Sequence, residues 1–158
     1  MQMHLWEKWL AMPERTPSDA VIRAWARLVR AQQRALAAVE ADLKGAGFPP
    51  LGWYDVLLEL SRADGGELRP FALEEKLLLA QYNLSRLIDR VETAGYVERR
   101  TCPEDGRGQV VAITESGRAL VKRMWPIYRA AIGRHVGAKL SEDEAARLAT
   151  LLGKLTEG

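Results

Sequence analysis

Leu84, Leu87, Ile88 and Val91 recur at spacings of three and four residues, the period that lines side chains along one face of a helix. Gln81, Tyr82, Asn83, Ser85, Arg86 and Arg90 are left on its other faces. The pattern predicts a helix starting near Ala80 and ending at Gly95, a residue suited to a helix C-terminus. The period then changes. Residues 96–101 (YVERRT) and Gln109–Ile113 (QVVAI) are rich in β-branched side chains, and the intervening CPEDGRG holds the Pro, Asp and Gly of a turn. A helix therefore runs directly into a β-hairpin, with Arg99 and Arg100 at its base and Asp105 and Arg107 at its tip.

Helical patterns flank this segment. Thr16, Pro17 and Asp19 read as a cap, a first-turn proline and an acid facing the positive end of a helix dipole. Ile22, Trp25, Leu28, Val29, Leu36, Val39 and Leu43 form the apolar stripe that follows, closed by GAGFPP at 45–50. A second helix is expected over 53–63, on Val56, Leu57 and Leu60, ended by Asp64, Gly65 and Gly66. A third is expected over 68–76, with Pro70 near its start. Beyond the hairpin, Leu120, Met124, Ile127, Ala131 and Val136 mark a long fifth helix. Ser141 to Glu144 reads as a capping box opening a sixth, which runs to about Leu155 with Leu148, Leu151, Leu152 and Leu155 apolar. The sequence shows no internal repeat and no low-complexity segment.

Composition narrows the class. The 158 residues, 47% hydrophobic, can bury one good core. A single cysteine excludes an intramolecular disulfide framework. No apolar run is long enough for a bilayer, and Glu7 and Lys8 interrupt the N-terminal MQMHLWEKWLAM, a poor signal peptide; the expected location is cytoplasmic. A net charge of +2 is small for a nucleic-acid binder, and Asp89, Glu92 and Glu98 lie among the basic residues of the motif. The argument for DNA rests on placement. Hydrogen-bonding side chains on the outer face of a helix suit base edges and phosphates, and an arginine on a projecting hairpin suits a narrow minor groove.

The segment resembles the winged helix-turn-helix of the MarR family of bacterial transcriptional regulators. The family's wing reads Asp, any residue, Arg, three residues, Leu or Val, any residue, Ile or Leu, Thr, two residues, Gly. Asp105, Arg107, Val111, Ile113, Thr114 and Gly117 occupy those places. Leu73 and the run from Leu84 to Glu92 stand where the family has its two helices. The motif match covers residues 52–117 and the flanking helices match by pattern. The chain departs from the family with Glu74 after Leu73, with Leu78 in place of a turn glycine, and with Ala80 in place of the serine that caps the recognition helix; such a cap is typically worth about 1 kcal/mol.

The resemblance implies a mainly α fold with a small β-wing: a winged helix-turn-helix lobe over 49–117, flanked by N-terminal (1–48) and C-terminal (118–158) dimerisation helices. It implies a homodimeric repressor on an inverted-repeat operator in double-stranded DNA. A two-fold dimer places two recognition helices about one DNA turn, roughly 34 Å, apart. The expected DNA-binding residues are Gln81, Tyr82, Asn83, Ser85, Arg86, Arg90, Arg99, Arg100, Asp105 and Arg107, with Arg86 in the major groove and Arg107, braced by Asp105, in the minor.

Family members commonly release DNA on binding small aromatic or phenolic compounds. Of the five tryptophans, Trp25, Trp53 and Trp125, with Tyr54 and Tyr128, are the candidate ligand-binding residues, although aromatics at helical spacing also pack cores. Arg23, Arg27, Arg30 or Arg34 could pair a ligand carboxylate, or simply form a solvated face. Trp6 and Trp9 would pack the N-terminal extension on a partner subunit. Cys102 in the wing invites a redox reading through a sulfenic acid or mixed disulfide, with Arg99 and Arg100 favouring its thiolate and Glu104 and Asp105 opposing it; the redox-sensing branch carries its cysteine near the N-terminus, where this chain has none. No cofactor or metal is implied: His4 and His135 lack partners at ligand spacing, Gly133 to Lys139 has the wrong spacing for a phosphate loop, and no nucleophile elbow occurs, so an enzyme is not expected. The alternative is a winged-helix protein-interaction module without specific DNA binding.

Overall fold

The computed structural model describes residues 16–102 and 108–157. His4, Trp6, Trp9, Glu104, Asp105 and Arg107 lie outside them. The chain divides into two compact units, Met1–Arg34 and Ala35–Gly158, and helix α1 (Asp19–Gly45) begins in the first and ends in the second.

In the first unit the helix is capped by Ser18, whose hydroxyl accepts the Val21 N–H at 3.3 Å while its carbonyl takes the Ile22 N–H at 3.1 Å. The cap is thus two residues later than Thr16, because Ser18 itself offers a short oxygen at the turn that Asp19 opens. Val21, Ile22 and Trp25 of this unit are exposed.

In the second unit α1 buries Val39 and Leu43 and, after ending at Gly45, is closed off by Gly47, whose positive φ lets the Phe48 N–H reach back to the Leu43 carbonyl at 3.0 Å. Helix α2 (Leu51–Arg62) starts two residues before its predicted position, since the Glu40 carboxylate takes the Leu51 N–H at 2.9 Å and satisfies a first-turn donor. A 3₁₀ turn (Asp64–Gly66) leads to β1 (Glu67–Leu68) and α3 (Pro70–Lys76). Leu68 therefore belongs to a strand and not to the third helix; it pairs with Val111, and Glu67 with Ala112. Then follow α4 (Leu84–Thr93), β2 (Val97–Thr101), β3 (Gln109–Ile113), α5 (Glu115–His135), a 3₁₀ turn (Gly137–Lys139) and α6 (Glu142–Thr156).

The sheet is antiparallel in the order β1-β3-β2, with Val97 opposite Ile113 and Thr101 opposite Gln109. As the central strand, β3 buries Val110, Val111, Ala112 and Ile113. Of these, Val111 and Ile113 join Leu57 and Leu60 of α2, Leu73 of α3, Ile88 and Val91 of α4, and Leu120 and Met124 of α5 in a buried core. A fully buried side chain of this size contributes about 1.5–3 kcal/mol. The capping box of α6 forms as expected, with Ser141 and Glu144 exchanging bonds of 3.0 and 3.2 Å. On the same helix Leu148, Leu151 and Leu155 are exposed.

Two signature residues owe their identity to the junction between wing and α5. The Thr114 hydroxyl donates to the Gly95 carbonyl at 2.7 Å and accepts the Gly117 N–H at 3.1 Å, capping α5 and tying it to the end of α4. A Cβ on Gly117 would stand 2.3 Å from the Tyr96 carbonyl oxygen and 2.8 Å from the Ile113 side chain. Only a residue without one fits.

Candidate nucleic-acid interface

The recognition helix α4 opens at Leu84, later than the predicted start at Ala80. Ala80 has no side-chain acceptor for the first-turn N–H groups, whereas Asn83 does: its Oδ1 takes the Arg86 N–H at 3.0 Å. Gln81, Tyr82 and Asn83 consequently precede the helix. The Gln81 carboxamide lies over Gly52, 3.1 Å from where a Cβ would be. The Tyr82 ring is fully exposed. Within the helix the predicted stripe is borne out, with Leu87, Ile88 and Val91 buried and Ser85, Arg86 and Arg90 exposed. Asn83→Ala is expected to lower stability by about 1 kcal/mol in urea unfolding, and Asn83→Asp to retain it; equal loss in both variants would remove the capping role.

The charges around this helix are sorted. Arg99 on β2 pairs with Asp89 at 2.7 Å and Glu92 at 3.0 Å, donates to the Ser85 carbonyl at 3.3 Å, and its own backbone N–H meets Glu92 at 2.6 Å. Its side chain is only 22% exposed. Arg100 pairs with Glu98 and lies 4.0 Å from Glu67. Arg86 and Arg90 form no ion pair among the described residues. The acids that dilute the motif's charge are thus neutralised by the arginines of the wing's base, and those of the helix remain available.

At the root of the wing the Cys102 N–H donates to the Gly108 carbonyl at 2.7 Å. The Cys102 side chain is buried, and its sulfur meets the Arg69 guanidinium at 3.4 Å rather than Arg99 or Arg100. The same guanidinium crosses Gly108 where a Cβ would stand.

A second feature of this unit is a cavity of about 780 Å³ between α2, α5 and the residues after α3. Tyr54, Trp125 and Tyr128 line it as a stacked group, with centroids 5.1 to 6.4 Å apart. Burial raises the pKa of both phenols, helped at Tyr54 by Tyr128 and at Tyr128 by the Asp55 charge, so both keep their O–H near neutral pH. Trp53 is not in the cavity; it packs edge-on against Tyr96 at 6.2 Å. Trp25, Arg23, Arg27, Arg30 and Arg34 belong to the first unit, where all are exposed. The cations lining the cavity are Arg62, Lys76 and Lys122, which the sequence reading missed. So was Asp55, buried on the wall beside Tyr54; the available signal was an acid on the helical face of Leu51, Tyr54 and Leu58.

His135 is a packing residue, with Nε2 2.9 Å from the Asp42 carboxylate that also binds Arg134 at 2.9 Å. No group of side chains suited to a metal ion occurs among the described residues, and no helix there is long and apolar enough to cross a membrane.

A helix pair on a three-stranded antiparallel sheet, the second helix presenting a polar outer face beside a hairpin, defines a winged helix-turn-helix protein. The MarR family model matches residues 46–108. An uncharacterised HTH-type transcriptional regulator of Bacillus subtilis, YkoM, is 31% identical over 113 residues, 72% of this chain and 71% of that one. AbsC, a MarR family transcriptional regulator from Streptomyces coelicolor, superposes with a TM-score of 0.78 at 26% identity over 90% of this chain and 96% of its own. Another from the same organism, solved in complex with DNA, superposes with a TM-score of 0.83 at 23% identity over 93% and 92%. The chain belongs to the MarR family, and is a DNA-binding transcriptional regulator and not an enzyme.

Proposed function

We propose that this protein is a cytoplasmic homodimeric repressor that binds an inverted-repeat operator and is released by a small aromatic or phenolic ligand. The observation that carries the DNA reading is the pair Arg86 and Arg90, exposed on α4 and without an acidic partner among the described residues while Asp89 and Glu92 are engaged by Arg99. Arg86 reads the major groove, with Tyr82 and Ser85 beside it, and Arg107, braced by Asp105, enters the minor groove. Arg99 holds the helix to the wing, a positioning role that leaves little of it for DNA.

The proposed dimer uses residues 1–48 and 118–158. Its support is the exposed apolar row Leu148, Leu151 and Leu155 on α6 and the exposed Val21, Ile22 and Trp25 on α1, surface that a stable monomer does not usually leave to water. The cavity supports the ligand reading: a stacked aromatic wall beside Arg62, Lys76 and Lys122 suits a flat ring bearing a carboxylate.

Fluorescence anisotropy at fixed salt tests this directly. A duplex selected by the protein from a random pool is expected to be an inverted repeat, bound with nanomolar affinity typical of specific sites and released by salicylate or a related aromatic acid. Binding without release retains the regulator and removes this ligand class; failure to select any sequence turns the reading toward a protein-interaction module.

A further inference from the structure

Asp55 is the one charged side chain buried among the described residues. A carboxylate taken out of water is destabilising unless its oxygens are fully hydrogen-bonded. Here Oδ1 accepts the Leu78 N–H at 3.1 Å and Oδ2 the Leu79 N–H at 2.8 Å. Those two amides sit in the turn between Lys76, where α3 ends, and Asn83, where the recognition helix is capped. The turn has no other structure to fix it in the sense of a helix or strand, and at seven residues (77–83) it is long for a helix-turn-helix.

The same carboxylate has a second neighbourhood. Asp55, Leu78 and Leu79 line the aromatic cavity together with Tyr54, Trp125 and Tyr128. The charge of Asp55 is also one of the causes that raise the Tyr128 pKa, so it reaches the aromatic group electrostatically as well as by position.

We propose that Asp55 is a positioning residue for DNA recognition: it holds the turn that sets where the recognition helix begins, and it is the point at which an occupant of the cavity acts on that turn. The coupling half rests on the reading of the cavity as the effector site. A ligand that donates a hydrogen bond to Asp55 competes with the Leu78 and Leu79 amides. Once these are released, the turn loses the two hydrogen bonds that tie Leu78 and Leu79 to α2, and Tyr82 and Arg86 lose their fixed approach to the groove.

The test compares Asp55→Asn with the wild-type protein on the selected operator and on a scrambled duplex of equal length. An asparagine keeps the shape but offers one acceptor for two N–H donors. Operator affinity is expected to fall about tenfold or more, with binding to the scrambled duplex unchanged. A residue that served stability alone would weaken both in parallel with the folded fraction; that result, or an unchanged operator affinity, overturns the proposal. If Asp55→Asn does not fold, amide exchange in the wild-type protein decides. The Leu78 and Leu79 N–H groups are expected to be protected in the free protein and to exchange about tenfold faster with salicylate bound, and amides that exchange freely from the outset overturn it. Salicylate that causes no more quenching of tryptophan fluorescence in the wild-type protein than in Trp125→Phe removes the effector reading and the coupling half with it, whereas the DNA titration of Asp55→Asn judges the positioning role by itself, so the two failures are distinguishable.

Discussion

Under the proposed function, Arg86→Ala and Arg107→Ala are each expected to weaken operator binding by about ten- to a hundredfold, the range of one good arginine contact to a base pair or a narrow minor groove, with the proposed dimer unchanged by sedimentation. The two losses should differ in kind. Removing Arg86 relaxes preference at one base pair of each half-site, because a major-groove arginine reads a guanine edge. Removing Arg107 reduces the salt dependence and lowers affinity more evenly across sequences, because the minor-groove potential carries little base code. Asp105→Ala acts in the same direction as Arg107→Ala, less strongly. An Arg86→Ala protein that binds the operator like the parent would leave the protein-interaction module as the better account, since an exposed Arg86 without an ion pair among the described residues is what the DNA reading stands on.

Gly117→Ala is expected to destabilise the fold by about 2–3 kcal/mol, although alanine is the better helix former. The Cβ meets a backbone carbonyl at 2.3 Å, which no rotamer relieves, and the Ile113 side chain at 2.8 Å. Either the first turn of α5 moves away from β3 or the Thr114 cap is lost. Gly133 lies in the same helix with nothing within 4 Å of its Cβ position. Gly133→Ala should therefore stabilise by up to about 1 kcal/mol. Opposite signs in urea unfolding confirm that crowding and not helix propensity decides; equal signs would remove the close-packing explanation of the signature glycine.

What the sequence made legible follows from distance along the chain. The stripe of α4, the hairpin and the capping box of α6 are local patterns, and each formed where its residues indicated. β1 was not legible, because a strand of two residues has no period and exists only through Ala112 and Val111, which lie far away in sequence. The start of α4 turned on competition between two capping positions, and the side-chain oxygen of Asn83 prevailed over the family's usual place at Ala80. The sorting of charge was equally hidden: Arg99 and Arg86 look alike in a string, and only the folded hairpin turns one of them onto Asp89 and Glu92. Of the five aromatic residues expected at a ligand site, Tyr54, Trp125 and Tyr128 line one cavity and Trp53 faces Tyr96. Helical spacing places a ring on a face but does not say what that face meets.

The brace made by Arg99 has a bearing on how such a protein could be re-engineered. Two of its contacts run to acidic side chains on the recognition helix and one to a backbone carbonyl there. A helix transplanted from a relative to change operator preference must bring acids at positions 89 and 92, or it leaves a half-buried guanidinium with no counter-charge. The transferable cassette is therefore the stretch from Asn83 to Thr101, helix and first wing strand together, and libraries that randomise the helix alone should hold those two acids fixed.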